Sequence, residues 1–343
     1  MAKISFKKSV FLEDYGKPYI VAEVNTSHFG DVNIAKKMVK KAKTIGCDCI
    51  KFQSWSSESL YSNSYYKENP IAKRFVKKFS FSKEELLEIS NYCRSIGIDF
   101  CSTPYSREEV DVLIDELNSH YIKVASMDLN NYSYLSYIAS KNVPIVLSTG
   151  MAEIKEITKA ISTIEKQGNL KICILHCVSI YPPKISTIQL KNILGLRKEF
   201  PNYPIGFSDH SVGTEIATAS IALGACMVEK HLTLDNSKIG MDNQMAIEPN
   251  EMEQLVRNCH NVYSAMGQHR RKVSYEELEQ RKIMRRSVIT VKDLKKGAVL
   301  KEKDLEVKRP GTGISPEKLD SLIGKTINRD IEADTIINEN DIS

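Results

Sequence analysis

The sequence predicts an α/β protein, a (β/α)8 TIM barrel followed by a small C-terminal β-rich domain. Three observations carry that expectation. Eight short runs rich in Ile, Val and aromatics recur between residues 19 and 231. Each run is continuous rather than alternating, as in parallel strands buried on both faces. Amphipathic stretches with helix caps separate the runs, and after about residue 284 the pattern changes to short strands with frequent turn signals. A doubly wound open sheet is the structural rival, but no G-x-G-x-x-G follows any run.

The runs are YIVAEV (19–24), CIKFQ (49–53), IDFCST (98–103), YIKVAS (121–126), PIVLST (144–149), KICILHC (171–177), YPIGFSD (203–209) and ACMVEKH (225–231). Between the first two, Ile34, Met38, Ala42 and Ile45 form one helical stripe. Ser82 and Glu85 form a capping box that opens a helix ending at Gly97, and Ser106 with Glu109 repeats the device. Further helices are expected over 132–141, 153–168, 187–199, 212–223 and 249–266. The connection over 54–80 is long, rich in Ser, Tyr and Lys, and carries the only Trp, at 55. Such a connection is usually a lid or an interface element. The expected domains are a barrel over 1–266, a linker over 267–284 and a β-rich module over 285–343.

Composition excludes several classes. The 343 residues are 42% hydrophobic and 27% charged, with a net charge of +5, which suits an ordinary globular protein. The longest weakly polar stretch, 216–228, is too short to span a bilayer. The opening MAKISFKKSV has no apolar signal core. The eight cysteines include no C-x-x-C pair and sit mostly in apolar runs, as reduced thiols do in a cytoplasmic protein. Residues 270–309 hold 14 Lys/Arg against 7 Asp/Glu, which suits a solvated face, a linker or the rim of an anion site. No aromatic ladder or helix-turn-helix pattern accompanies that charge, so nucleic acid is not an expected partner.

In such a barrel the chemistry sits where strands run out into loops. Lys51 and Lys123 lie inside otherwise apolar strands. A buried lysine needs a carboxylate partner or a ligand anion. Ser102, Thr103, Ser126, Ser148 and Ser208 would give hydroxyl donors to the same phosphate or carboxylate, although each is also a plausible helix cap. His210 and His231 end adjacent strands, where two imidazoles can share a metal or simply pack. With only two imidazoles, Mn²⁺ or Mg²⁺ chemistry fits better than a closed zinc site. His176 is expected to be structural, and Cys173 and Cys177 too buried to act as nucleophiles.

With these residues placed, the chain resembles the sialic acid synthase family, the phosphoenolpyruvate (PEP)-dependent nonulosonate synthases. The matching strings include AEVNTSHFGD (22–31), KFQSW (51–55), STPYS (102–106), KVASMDLNNY (123–132), STGM (148–151), HCVSIYP (176–182), GFSDHSVG (206–213), EKHLTLD (229–235) and VKRPGTGIS (307–315). They follow the family's order across nearly the whole chain. The tail resembles the family's antifreeze-like (SAF) domain.

The resemblance implies condensation of PEP with an N-acetylmannosamine-type sugar, giving N-acetylneuraminate or a related nine-carbon 2-keto-3-deoxy acid for surface polysaccharide. It implies PEP contacts from Lys51, Thr103, Lys123, Ser126, Ser148, Ser179 and Ser208, and metal ligation by His210 and His231. Glu23, Lys51, Lys123 and Asp128 match catalytic positions, Glu23 as a carboxylate for proton transfer, and Gln53, Asp128, Tyr181 and Asp242 match sugar-facing ones. Arg309 matches an arginine that reaches from one subunit's SAF domain into its partner's barrel, which implies a homodimer. Three departures fall on the substrate side: Asp128 stands where Glu is usual, Ser179 where Asn is frequent, and GMDNQMAIEP (240–249) replaces a GPD-H-K-like run. They keep legionaminic and pseudaminic precursors open as acceptors. Two further readings of the same residues compete with the synthase: a Schiff-base aldolase using Lys123, and a non-catalytic carbohydrate-binding protein.

Overall fold

A computed structural model describes residues 1–268 and 270–343 and divides into two compact units, Met1–Met266 and Gly267–Ser343. The first unit opens with a hairpin that the sequence pattern does not announce. Strands β1 (Lys3–Lys7) and β2 (Val10–Glu13) pair antiparallel, and Ile4, Phe6 and Leu12 are buried on one side.

Eight parallel strands follow: β3 (Tyr19–Glu23), β4 (Cys49–Gln53), β5 (Asp99–Thr103), β6 (Ile122–Val124), β7 (Ile145–Ser148), β8 (Ile172–Cys177), β9 (Ile205–Asp209) and β10 (Met227–His231). Their order is β5-β4-β3-β10-β9-β8-β7-β6, so β10 pairs with β3 and the first and last strands are neighbours. Side chains span the seam between β5 and β6. The Ser119 hydroxyl donates to the Phe100 carbonyl at 3.3 Å, and the Cys101 thiol to the Tyr121 carbonyl at 3.7 Å.

Local signals account for most helix limits. Asp31 caps the helix Val32–Ile45 by accepting from the Asn33 amide at 2.7 Å, and Gly46 ends it at φ 96°, a conformation only glycine adopts cheaply. The Ser82–Glu85 capping box forms, and Gly97 closes its helix. The Ser106 box forms only by half. Ser106 accepts from the Glu109 amide, but the Glu109 carboxylate turns to the Tyr105 amide and the Ser59 hydroxyl, both at 2.6 Å. A tertiary partner has displaced the local one. The helix expected over 187–199 breaks at Gln189, whose φ is 48°, into Ile185–Ile188 and Asn192–Glu199.

The long connection after β4 is not structureless. It holds helices Asn63–Glu68 and Pro70–Phe79 and a satellite core of Trp55, Tyr66, Val76 and Phe79. In the second unit, a helix (Tyr275–Met284) occupies residues expected as linker. Strands β11 (Ser287–Thr290) and β12 (Leu305–Lys308) pair antiparallel, and isolated bridges such as Leu294–Ile331 and Val299–Thr326 complete a β-rich body around Val288, Leu300, Ile314 and Ile337. Among the described residues no helix is long and apolar enough to cross a membrane.

Candidate active site

Successive residues of a strand face opposite sides, so the barrel interior is read two residues at a time. The lower interior is apolar: Val21, Cys49, Cys101, Tyr121, Val146, Cys173, Leu175 and Met227 cluster with the hairpin's Ile4, Phe6 and Leu12. One step further along the strands, the interior becomes polar. Glu23, Lys51, Thr103, Lys123, Ser148, Cys177 and Glu229 line a cavity of about 360 Å³.

Two lysines and two carboxylates form its floor, each at most 4% exposed. Lys51 pairs with Glu23, lies 3.7 Å from Glu229 and donates to the Thr103 hydroxyl at 3.2 Å. Lys123 donates to the Ser148 hydroxyl at 2.7 Å and lies 3.8 Å from Glu229. The Ser208 hydroxyl donates to Glu229 at 3.0 Å. Burial alone would push the Lys51 ammonium down, but Glu229 and Glu23 outweigh it and raise it. Burial dominates at Lys123, whose pKa falls despite Glu229. It also dominates at Glu23, which is raised although Lys51 opposes. At Glu229 the two lysines outweigh burial and hold the carboxyl below its ordinary value.

The structure thus brings together nearly all the residues singled out from sequence. Ser126, Ser179 and Ser208 line the cavity with Ser148. The Gly150 amide donates to the Ser126 hydroxyl at 3.0 Å. A Cβ at Gly150 would stand 2.8 Å from that same oxygen, so the close approach of backbone to hydroxyls requires glycine. Gln53, Tyr181 and Asp242 line the same cavity. Gln53 is held by its own contacts, donating to Glu23 at 3.2 Å and accepting from Trp55 at 3.0 Å and Tyr105 at 2.8 Å.

Asp128 sits on the turn Ser126–Asp128, directly after the lining residues Ser126 and Met127, and its carboxylate acts on the cavity-lining Tyr105. Burial raises its carboxyl to about 6. Arg309 is an exposed residue of the second unit, directly after β12. Glu229 and Cys177 are among the lining residues that do not follow from the sequence. Glu229 is the carboxylate both lysines share, and the run VEKH gives no sign of which of its polar residues faces inward. Cys177, expected to be buried and inert, lines the cavity beside His210 at 3.9 Å. His176 bonds the Ile188 carbonyl at 2.7 Å, a structural role.

His210 and His231 pack edge to face in the cavity lining, with ring centroids 5.3 Å apart at 72°. His210 Nδ1 meets the Val178 carbonyl at 2.8 Å, which leaves Nε2 for another partner. The Tyr181 ring packs on His210 at 4.1 Å, and Asp242 lies 3.7 Å from His231 Nδ1. Among the described residues no three His, Cys, Asp or Glu side chains converge as a closed metal cage. A pair of buried imidazoles with oxygen donors nearby fits an open divalent site completed by substrate and water.

Comparison with known proteins agrees with this geometry. The NeuB family model matches residues 38–271, and the SAF domain model matches 285–343. The chain is 34% identical to the N,N'-diacetyllegionaminic acid synthase of Legionella pneumophila, over 93% of each chain. It is 33% identical to the N-acetylneuraminate-9-phosphate synthase of Homo sapiens, over 94% of this chain and 91% of that one. Among solved structures, the N-acetylneuraminic acid synthetase of Leptospira borgpetersenii in complex with citrate superposes with a TM-score of 0.74 at 31% identity, covering 81% of this chain and 94% of that one.

Proposed function

The chain belongs to the NeuB family of PEP-dependent nonulosonic acid synthases, transferases by reaction class, and on that premise we propose that it condenses PEP with an N-acetylmannosamine-type sugar. The observation that carries the reading is the buried lysine pair facing one cavity with a ring of hydroxyls. Lys51, Lys123, Thr103, Ser126, Ser148, Ser179 and Ser208 hold the phosphate and carboxylate of PEP. Carbon C3 of PEP attacks the aldehyde carbon of the open-chain sugar, forming the new C–C bond. Water adds at C2, and the C–O bond to phosphate breaks. The products are a nine-carbon 2-keto-3-deoxy acid and inorganic phosphate.

Glu23, whose raised pKa suits proton exchange, accepts the proton from the attacking water or supplies one at the aldehyde oxygen. Gln53, Tyr181 and Asp242 orient the sugar. His210 and His231 would hold Mn²⁺ or Mg²⁺, an ion that when bound polarises the aldehyde oxygen. Arg309 completes the sugar end by reaching from the second unit of one copy into a partner's barrel, so the working form is a homodimer in the cytoplasm. Arg309→Ala should then raise the sugar KM at least several-fold and leave the PEP KM unchanged.

N-acetylmannosamine, giving N-acetylneuraminate, is the first acceptor to test. A second reading is favoured by the lining, where Leu60, Tyr61, Met127, Met151 and Met241 form an apolar lip. That lip suits the C6 methyl and extra acetamido group of a 2,4-diacetamido-2,4,6-trideoxyhexose, the legionaminic or pseudaminic precursor. The deciding experiment is phosphate release from PEP with Mn²⁺, both sugar classes assayed in parallel. Release with the first alone assigns neuraminate, and release with the second alone assigns the trideoxy branch. No release with either overturns both acceptor assignments and calls for another amino sugar.

A further inference from the structure

Lys230 and Asp209 are as deeply buried as the catalytic lysines, with side chains 0% and 1% exposed, yet neither lines the cavity. The register explains their placement. Glu229 lies opposite Ser208 and Lys230 opposite Asp209, on the adjacent strands β10 and β9. Ser208 and Glu229 face the cavity, Asp209 and Lys230 face away, and His210 and His231 line the cavity again. An ion pair therefore lies directly behind the two imidazoles.

Its hydrogen bonds all converge on the chain around His210. The Lys230 ammonium donates to Asp209 Oδ2 at 2.7 Å and to the Ser211 carbonyl at 2.5 Å. Asp209 Oδ1 accepts from the Ser211 amide at 2.9 Å, and Oδ2 from the Ser211 hydroxyl at 3.0 Å. The residues before and after His210 are both tied to the residue that precedes His231. Taking a lysine and an aspartate out of water is costly, and an apolar pair of the same volume would often be as stable. Fold stability alone does not account for the ion pair, whereas fixing two side chains relative to each other does.

We propose that Lys230 is a positioning residue which, with Asp209 and Ser211, clamps the backbone on either side of His210 to β10 and so sets the imidazole pair for a divalent cation. This rests on the reading of His210 and His231 as metal ligands, and the test separates the two. Mn²⁺ is titrated into the full-length protein without PEP, and free Mn²⁺ is followed by electron paramagnetic resonance. Wild type should bind the ion and His210→Ala should not. Failure of either overturns the ligand reading and this inference with it.

The double variant Asp209→Leu/Lys230→Met removes both charges together and should stay folded. Its Mn²⁺ affinity should fall about 10- to 100-fold, as when outer-shell partners are lost. Its affinity for PEP in the absence of metal should be unchanged. Mn²⁺ affinity within twofold of wild type would overturn the proposal while leaving the ligand reading intact. Loss of PEP affinity to the same degree as Mn²⁺ affinity would also overturn it, because the damage would then be general. Should the double variant not fold, Ser211→Ala carries the test. It deletes one hydrogen bond to Asp209 and should weaken Mn²⁺ about fivefold, with no change counting against the clamp.

Discussion

The lower and upper interiors of the barrel are built from the same strands, two residues apart, and are equally closed to water. Val21, Cys49 and Met227 are each 0% exposed, while Glu23, Lys51 and Glu229, their next inward-facing neighbours on the same strands, are 1%, 2% and 4% exposed. The lower layer is held by apolar contact and by weak thiol and hydroxyl hydrogen bonds within it, and is sealed beneath by Ile4, Phe6 and Leu12 of the hairpin. In the upper layer, four ionisable groups are held mainly by one another and by hydroxyls. Depth of burial therefore does not separate scaffold from site. The separation comes from whether a layer's groups are complete without a ligand. Glu229 Oε2 has no hydrogen-bond partner, whereas the lower layer has no such demand.

The largest effect should come from breaking the upper layer. Lys51→Met would leave Glu23 without its ammonium partner in a dry site, costing about 3–5 kcal/mol in stability. The same change should lower kcat/KM for PEP about 10²- to 10³-fold, read by phosphate release. The comparison fails if the variant loses activity but no stability, because the layer would then be complete without the lysine.

In the lower layer, Leu175→Ala should cost about 2–5 kcal/mol by calorimetry or denaturant unfolding while KM for PEP stays at the wild-type value. A shifted KM would show that the two layers are not separable.

The smallest effect is expected beside the site, at Asp128. Burial lifts its folded-state carboxyl to about 6, whereas an unfolded aspartate titrates near about 3.9. The folded protein thus holds this proton more tightly, and the associated stability is full below about pH 4 and lost as pH rises through about 6. Asp128→Asn should leave stability unchanged at pH 4 and raise it by about 1 kcal/mol at pH 7.5, after solvent screening. Equal melting curves at both pH values would show that Asp128 is not desolvated.

The eight barrel strands, the Ser82 and Gly97 helix limits and the lysines inside strands were legible in the sequence, because each depends on local propensity or on a chemically conspicuous residue. His210 and His231 were legible as strand-end neighbours for the same reason. The hairpin was not, because its alternation is short and broken by Lys7 and Lys8. The turn of the Glu109 carboxylate was not, because the distant Ser59 hydroxyl competes with the local capping partner, and the break at Gln189 was not, because no glycine or proline marks it.

By itself, then, the sequence determined the class of fold, the family resemblance and the kinds of group available to the chemistry. The phase of each strand was left to the tertiary structure. A run such as VEKH has two possible inward sets, and a shift of one residue exchanges Glu229 and His231 for Lys230. Closure of the barrel fixes that phase by pairing β10 with both β3 and β9 at once. The pairing puts Glu229 between two lysines and sets Lys230 behind the histidines. No local property of those residues encodes these outcomes, because they depend on which distant strand each one faces.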